Sequence, residues 1–407
     1  MSKKRLLIVT GCGASIDFGM PRVAEVNQIF ETNSRRYVLS NDPQTTLYQW
    51  ICNQANNANY EYLLYIIEVL AGYLNPANSY LSNFLQPNNL PLVNDTVLHH
   101  NNQTITSFDL SSLYNSLVDS LLDDFREKSR DCIANNTTFF SSLQSFLQCL
   151  NQEFDISYVT TNHDNILLSA LPDNVTGFDT NGSFDRSILM NNPNWNYGIH
   201  LHGSVHFDMT GNIQRGYNMH EIRWNNDLSS NFSSNASGRN WIFTRQGNPL
   251  PHSAIIAGID KTNQILKQPF LSYYMILDKL IFESDAILFI GYGFQDDHLN
   301  NAFEFIRYDW DKIRKVAVVD YSDNNTASLC GGRHDDWTIG LSKTIPFDSF
   351  NMGDGTKSLS GKHHTVGGYR QRCSVEKSSD SSHPLAIWYN GFTKACNYPH
   401  VILNELL

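Results

Sequence analysis

The sequence predicts an α/β protein built on an open, largely parallel sheet with a helical insertion. Apolar runs rich in branched residues alternate with helical segments along much of the chain. Each predicted strand ends in glycine, asparagine or aspartate, and two glycines follow the first strand directly. Because ligands of parallel open sheets bind at the carboxyl ends of the strands, these ends form the expected functional edge.

The first predicted strand, Leu6–Thr10, organises the rest of the chain. It has no polar alternation, which is typical of a strand buried on both faces. Gly11 and Gly13 follow it, and glycine permits both a tight turn and close approach of backbone N–H groups to a phosphate. A helix is predicted to begin after Ser15, with an N-terminus that favours an anion. Strand, glycine turn and helix indicate a Rossmann-like dinucleotide site, although a simple tight turn remains open.

The spacing of this loop differs from the usual dehydrogenase motif. Ile16 stands where G-x-G-x-x-G requires a third glycine, and the pattern instead continues to Gly19 and Pro21. The acidic residue at the expected distance, Glu31, follows a helical segment rather than a second strand. An ordinary dehydrogenase site is therefore not predicted.

Four further strands and several helices are predicted from the later apolar patterns. The strands are Ile156–Thr161, Gly198–Gly203, Asp285–Ile290 and Lys315–Asp320. The helices are Tyr60–Leu74, Ser111–Arg130, Thr137–Leu150, Phe270–Phe282 and Leu299–Trp310. Residues 74–106 and 209–250 are predicted to be irregular. We expect a main domain over residues 1–330, with a helical insertion at about 22–152, and a loop-rich extension over 331–407.

Composition excludes several classes of protein. The chain has 407 residues, 41% hydrophobic content and a net charge of −11, which argues against direct binding of nucleic acid. No apolar run approaches the ~20 residues of a membrane span, and the apolar start is too short for a signal peptide. Seven scattered cysteines without C-x-x-C spacing indicate a reducing, cytoplasmic setting rather than a disulfide framework.

Taken in order, the strand ends resemble the NAD site of sirtuins. The first loop resembles the sirtuin phosphate and nicotinamide loop, Thr161–Asp164 its T-x-N-x-D element, and His202–Ser204 its H-G element. Gly291–Phe294, followed by Asp296, resembles the late glycine loop of bacterial sirtuin-like proteins. The resemblance implies these NAD-binding residues: Gly11, Cys12, Gly13, Ala14, Ser15, Gly19, Pro21, Thr161, Asp164, Gly203, Gly291, Tyr292, Gly293, Phe294 and Asp320.

Two departures from the deacylase pattern refine the functional expectation. Arg22 follows Pro21, where deacylases continue with Asp-Phe-Arg, and no cysteine lies between Cys149 and Cys330, where they carry a zinc module. The chain therefore resembles the sirtuin-like NAD hydrolases of bacterial antiphage defence. The resemblance implies an NAD-cleaving effector, controlled by homo-oligomer assembly or by a companion sensor or ATPase. A protein deacylase or ADP-ribosyltransferase, and a non-catalytic nucleotide sensor, are the alternatives.

The resemblance implies Asn162 and His202 as catalytic residues. The amide of Asn162 can orient a water molecule, although a strand-end asparagine also commonly satisfies the backbone of a turn. His202 can act as a ribose-contacting base, and His200 stays open as an alternative because period 2 places both on one strand face. Asp164 and Ser15 can bind the nicotinamide carboxamide, while Asp164 can also cap a helix.

The sequence favours structural roles for three nearby residues. Asp296 and Asp297 are expected to cap the helix after the late glycine loop rather than to take part in catalysis. Cys12 is interpreted as a small filler within the first loop.

The cysteine pattern also predicts that the protein binds no structural zinc. Tetrahedral zinc sites need converging ligands, and neither the cysteines nor His334, Asp335 and Asp336 show such spacing. Metal analysis of chelator-washed protein should therefore find no zinc, and stoichiometric zinc would contradict this expectation.

Overall fold

A computed structural model describes thirteen segments of the chain, centred on a mostly parallel sheet. The described residues are 3–39, 42–54, 59–74, 98–100, 103–135, 137–212, 219–230, 254–258, 261–308, 312–323, 335–345, 366–378 and 383–407. Much of the predicted irregular segments, together with Cys330 and His334, lies outside these residues. None of the described helices has the length and apolarity needed to cross a membrane.

Seven strands form the central sheet, in the order β11-β12-β10-β9-β1-β5-β6. All neighbours are parallel except the edge pair β11 and β12. The twelve described strands are β1 (Lys4–Thr10), β2 (Tyr37–Leu39), β3 (Leu98–His100), β4 (Gln103–Thr104), β5 (Phe154–Thr160), β6 (Gly198–His200), β7 (Phe207–Asn212), β8 (Met219–Trp224), β9 (Ala286–Ile290), β10 (Lys315–Val319), β11 (Glu376–Lys377) and β12 (Leu385–Trp388).

The strand order fixes where a ligand can enter. The chain runs outward from β1 through β5 to β6, then returns to the other side of β1 and continues through β9, β10 and β12. This is the order of a Rossmann-like doubly wound sheet, whose switch point lies between β1 and β9. The expected α/β fold with a Rossmann-like parallel sheet is therefore confirmed.

Helices cover both faces of the sheet and build a separate block. They are α1 (Val23–Ser34), α2 (Leu47–Gln54), α3 (Tyr60–Tyr73), α4 (Ser107–Asn135), α5 (Thr137–Glu153), α6 (Ile166–Ala170), α7 (Arg186–Met190), α8 (Thr262–Ile265), α9 (Phe270–Glu283), α10 (Asp297–Ala302), α11 (Asp335–Thr344), α12 (Val366–Arg372), α13 (Phe392–Cys396) and α14 (Pro399–Leu406). Helices α1 to α4 share a hydrophobic core of their own. We call these four helices the helical block, and they make up much of the predicted insertion.

The central strand is buried on both faces, as its sequence predicts. Leu6 and Ile8 belong to a core shared with α5, α13 and α14, whereas Leu7 and Val9 belong to a core shared with α9. All four side chains are fully buried. Alternation of side chains across the strand explains this division, because successive residues point to opposite faces of a sheet.

The first loop differs from the prediction of a helix directly after Ser15. Two short 3₁₀ turns, Cys12–Ala14 and Ile16–Phe18, follow β1, and the α-helix begins only at Val23. Gly19 adopts a left-handed conformation with φ of 89°, which ends the second turn, and proline follows two residues later. These two residues delay the helix.

Other elements also depart from the sequence analysis. The predicted helix at Leu299–Trp310 is divided, since α10 ends at Ala302 and a 3₁₀ turn follows at Glu304–Tyr308. A hairpin, β7–β8, and a small sheet, β2-β3-β4, extend into segments predicted to be irregular. The extension after residue 331 contributes β11, β12 and four helices, so the loop-rich interpretation of its described part is wrong. The domain boundary near residue 330 stays a prediction.

The two glycine loops pack against each other at the switch point. Gly11 N donates to Ile290 O at 3.1 Å, and Gly13 N donates to Gly291 O at 3.0 Å. A Cβ added at Gly291 would lie 2.1 Å from Ala14 N, and Gly291 has a φ of +55°. Only glycine lets the two backbones approach this closely, so the glycines have a packing role whatever they bind.

We expect Gly291→Ala to destabilise the fold strongly. Overpacking against backbone costs about 1–3 kcal/mol, and left-handed backbone at a non-glycine residue costs about 1–2 kcal/mol more. Gly293→Ala is the matched control in the same loop, since a Cβ there meets nothing within 4 Å. Chemical denaturation should show a large loss of unfolding free energy for the first variant only. Equal stability of the two variants would contradict the packing role.

Candidate functional site

Asn162 ties the end of β5 to the first glycine loop. Its side-chain Nδ2 donates to Gly11 O and to Ser15 Oγ, both at 2.9 Å. Thr161 N donates to Thr10 O at 3.1 Å, which adds a backbone link between β5 and β1. The structure thus brings together Ser15 and Asn162, two of the sequence-predicted site residues, and gives Asn162 a structural role as well.

A small polar cavity lies beside this contact, at the carboxyl ends of β1 and β5. Its lining residues are Thr10, Ala14, Ser15, Thr160, Asn162, Asp164, Ile166, Leu167, His200 and Phe392. Its volume of about 10 Å³ leaves room for about one water molecule. Four of its lining residues are sequence-predicted site residues: Ala14, Ser15, Asn162 and Asp164.

Several buried polar atoms of the residues that line this cavity make no hydrogen bond of normal geometry within the described part of the chain. Thr10 Oγ1 and both ring nitrogens of His200 are buried and have no hydrogen bond of normal geometry to the described residues. Asp164 Oδ1 accepts from Ile166 N at 3.1 Å, whereas no well-formed hydrogen bond reaches its Oδ2. Because buried polar groups are normally paired, these atoms mark a place suited to a polar ligand or water.

Burial controls the ionisation of the groups around the cavity. It raises the pKa of Asp164, and the nearby Ser15 hydroxyl opposes this rise only in part. Burial also lowers the pKa of His200 and of His163 to about 3. These two histidines are consequently neutral at neutral pH.

His202 lies beyond the end of β6 and faces a set of charged side chains. Its Nε2 is 3.0 Å from Asp296 Oδ2, without the alignment of a normal hydrogen bond. Lys261 Nζ lies 3.2 Å from the same carboxylate oxygen and 3.4 Å from Glu61 Oε1. We call this set of four side chains, His202, Asp296, Lys261 and Glu61, the charge chain.

The members of the charge chain shift one another's protonation. Burial chiefly lowers the pKa of His202; Lys261 lowers it further, while Asp296 raises it. Burial alone would raise the pKa of Asp296, but His202 and Lys261 outweigh it and hold that pKa well below its usual range. Burial would lower the pKa of Lys261, yet Glu61 and Asp296 raise it overall. Asp296 and Lys261 are therefore an ionised pair at neutral pH.

Sequence reasoning recognised one of the two roles of Asp296. Its Oδ1 accepts from Leu299 N at 3.1 Å, so the expected helix cap is present. Contact of its other oxygen with His202 was missed, because the two residues are distant in sequence and no motif links them. No sequence pattern pointed to Lys261 as a site residue, since it is an isolated lysine before the short α8.

Several sequence-predicted residues have their side chains in the core or on the surface instead. Tyr292 and Phe294 are buried, and their ring centroids are 4.9 Å apart within an aromatic cluster. Only their backbone could contact a nucleotide in this arrangement. Cys12 is exposed, so its interpretation as a filler is wrong. Asp320 is buried just after β10, and its Oδ1 accepts from Tyr321 N at 2.7 Å.

The C-terminal segment also reaches the site. Phe392 lines the small cavity and packs against Phe18, with ring centroids 6.1 Å apart. Thr393 Oγ1 donates to Asp17 Oδ2 at 2.5 Å, on the second turn of the first loop. The poor periodicity of the tail gave no sign of this contact.

Cavity size alone does not identify the site. A groove of about 520 Å³, lined by Arg5, Asp155 and Asn174 among others, lies near the amino ends of β1 and β5. Ligands of doubly wound sheets bind at the opposite, carboxyl edge, which carries the glycine loops. Among the described residues, no group of three or more His, Cys, Asp or Glu side chains converges as metal ligands would.

Comparison with known protein families finds a match for the part of the chain that begins at β5. Residues 156–335 match the family model described as SIR2-like domain. The match begins after the first glycine loop and includes Asn162, Asp164, His202 and the late glycine loop. No curated protein matches the chain.

Solved structures with some similarity to the chain are Sir2 homologues. A complex of a Sir2 homologue with NAD has a TM-score of 0.34 and 10% identity, covering 84% of this chain and 89% of that one. A mutant Sir2 homologue bound to ADP-ribose has the same TM-score and identity, covering 84% and 91%.

The identity of the fold family rests on the matched region and on the sheet that contains it. Strands β5, β6, β9 and β10 all fall within residues 156–335 apart from the first two residues of β5. The predicted sirtuin-like resemblance is confirmed, and residues 156–335 of this chain match a SIR2-like domain.

Proposed function

We propose that the protein is an NAD glycohydrolase that cleaves NAD to nicotinamide and ADP-ribose. The observation that carries the proposal is the meeting of Ser15, Asn162 and Asp164 around one polar cavity beside the two glycine loops. The cavity lies at the carboxyl ends of β1 and β5, next to the switch point between β1 and β9 at which doubly wound sheets bind dinucleotides. A SIR2-like domain covers most of that edge.

Cleavage of the nicotinamide–ribose bond requires stabilisation of a cationic sugar and a positioned water. By analogy with other glycosidic cleavages, the transition state has oxocarbenium character. Ser15 and Asp164 would bind the carboxamide of nicotinamide within the small cavity. Asn162 would orient the attacking water by its amide, a role that would compete with its contacts to the first loop.

His202 would act on the ribose as a base or orienting group. Burial keeps its imidazole neutral near neutral pH, and a base must be neutral to accept a proton. His200 remains the alternative, because it lines the small cavity and neither of its buried ring nitrogens makes a hydrogen bond of normal geometry to the described residues. Comparison of variants at both positions separates these two assignments.

Binding of NAD would also require movement near the cavity. Room for about one water is far too little for a pyridine ring. The first loop or the Phe392 side chain would have to shift. The hydrogen bond from Thr393 to Asp17 joins the C-terminal segment to the first loop. Substrate binding would thereby be sensitive to the position of the C-terminal segment.

The biological setting that we propose is bacterial antiphage defence in the cytoplasm. The late glycine loop and the lack of cysteines between Cys149 and Cys330 resemble the NAD-hydrolase effectors of such systems rather than deacylases. Uncontrolled NAD cleavage would harm the host, so an effector needs an inactive state. We propose that self-association, or a companion sensor or ATPase, controls the switch.

Substitution of Asn162 or His202 by alanine should abolish NAD cleavage without unfolding the protein. Loss of a positioned acid–base group typically lowers the rate by ~10² to 10⁴-fold. Nicotinamide and ADP-ribose release by purified protein, with and without an acetylated peptide, is the measurement. Release that depends on the peptide would favour the deacylase alternative, and tight NAD binding without products would favour the sensor.

Two controls accompany these variants. His298→Ala alters a nearby histidine without an assigned role and should retain wild-type turnover. Denaturation curves check the fold, which matters for Asn162 because it also bonds to Gly11 O. Wild-type turnover by both Asn162→Ala and His202→Ala would overturn the site assignment, whereas loss only in His200→Ala would move the base to that residue.

Assembly should change the rate of NAD cleavage by at least about tenfold, which corresponds to ~1.4 kcal/mol of coupling. A symmetric homo-oligomer can place inactive and active packings at a subunit interface, so that a trigger shifts their balance. Size-resolved mass measurement, with activity across protein concentration and with candidate partners, tests this expectation. A monomer with constant activity would instead indicate a housekeeping NAD-consuming enzyme.

A further inference from the structure

We propose that Asp296 is the positioning residue for His202, and that Lys261 and Glu61 tie this pair to the helical block. The inference rests on the proposed function, since it assigns His202 the role of the base. It adds three residues that the sequence analysis did not place in the site. Its basis is the geometry of the charge chain, in which consecutive side chains are 3.0, 3.2 and 3.4 Å apart.

Asp296 is held firmly enough to orient a neighbour. Its Oδ1 accepts from Leu299 N at 3.1 Å and fixes the carboxylate at the start of α10. Its Oδ2 is thereby directed to His202 Nε2 and Lys261 Nζ. The side chains of His202 and Asp296 are only 8% and 9% exposed, so solvent screens their interaction weakly.

The carboxylate determines which imidazole nitrogen carries the proton. A negative charge 3.0 Å from Nε2 favours the tautomer with hydrogen on that nitrogen. Nδ1 is then the basic nitrogen, which can accept a proton from a ribose hydroxyl. The proton moves from that hydroxyl oxygen to Nδ1, and the Asp296 carboxylate stabilises the imidazolium that forms.

Lys261 and Glu61 extend the chain to α3. Lys261 neutralises Asp296, and Glu61, on the first turn of α3, holds the ammonium from the other side. Ile256 N also donates to His202 O at 2.9 Å, and the adjacent Ile255 and Ala257 belong to the core of the helical block. The helical block is thus linked to His202 indirectly by two routes, the ion pairs through Lys261 and Asp296 and the backbone hydrogen bond of Ile256.

The central variant is Asp296→Asn, with Asp297→Asn as the matched control. Asparagine caps helices about as well as aspartate, so the substitution removes the charge while keeping the cap. Asp297 is exposed at the first position of α10, and the cap expected of it is made by Asp296 alone. We expect a loss of about 10²-fold in kcat for Asp296→Asn, with KM and the control nearly unchanged.

A second test is the pH dependence of kcat/KM, because a shift of its acid limb reports the pKa of His202 and would not result from general destabilisation. The charged and titratable groups around His202 are Asp296, Lys261, Glu61 and His163. Asp296 raises the pKa of His202, so its removal should move the acid limb of kcat/KM to lower pH. Lys261→Met removes a cation that lowers this pKa, and should move the limb to higher pH, with Lys261→Arg restoring it.

Titration of the His202 ring by NMR tests the positioning role of Asp296 without relying on turnover. The His202 resonance is assigned by comparing wild-type protein, labelled at the histidine carbons, with the His202→Gln variant. The pKa of His202 is then measured in Asp296→Asn and Lys261→Met. Opposite shifts in the two variants support the positioning role, even if the wild-type protein fails to cleave NAD and the proposed function is wrong. Unchanged titration and wild-type kcat in Asp296→Asn would overturn it; Lys261→Met gives the same test should Asp296→Asn not fold.

Discussion

Contact between the backbones of the two glycine loops is the constraint on which the functional edge depends. Hydrogen bonds from Gly11 and Gly13 close the space between the ends of β1 and β9. These two N–H groups are used within the protein, so in this arrangement they are not available to a phosphate. The loops set the distance from which Ser15 on one side and Asp296 on the other reach their partners, which makes loop packing a precondition of any chemistry at this edge.

Two parts of the chain outside the SIR2-like region complete that edge. The C-terminal segment packs Phe392 into the small cavity, and the helical block supplies Glu61 to the charge chain. The C-terminal segment touches the first loop, and the helical block reaches His202 through Lys261 and Asp296. A change in the packing of either element would therefore alter the site directly, without a long path of coupling. This placement suits the control by assembly that we propose, since assembly would act through peripheral surfaces.

The sequence was informative where local patterns determine structure. Apolar runs such as Leu6–Thr10 and Asp285–Ile290 predicted the inner strands, because strands buried on both faces must be apolar throughout. The strand β12 was missed, since a run of only four residues in a polar tail carries little signal. The helix after the first loop was placed too early, because the left-handed Gly19 ends a 3₁₀ turn and, with the nearby Pro21, delays the helix to Val23. The link between Asp296 and His202 could not be predicted, as it forms only when β6 and β9 lie in one sheet.

The balance of charge around His202 gives the proposed chemistry its physical sense. With the histidine neutral, the charge chain contains one cation, Lys261, and two carboxylates, Asp296 and Glu61. Burial keeps His163 and His200 uncharged as well, so these neighbours add no positive charge at neutral pH. The three charged side chains near His202 thus carry a net charge of −1, and solvent screens this charge weakly. A cationic ribose would be stabilised there, whereas an additional protonated histidine would oppose it, because charges in a water-poor site interact strongly.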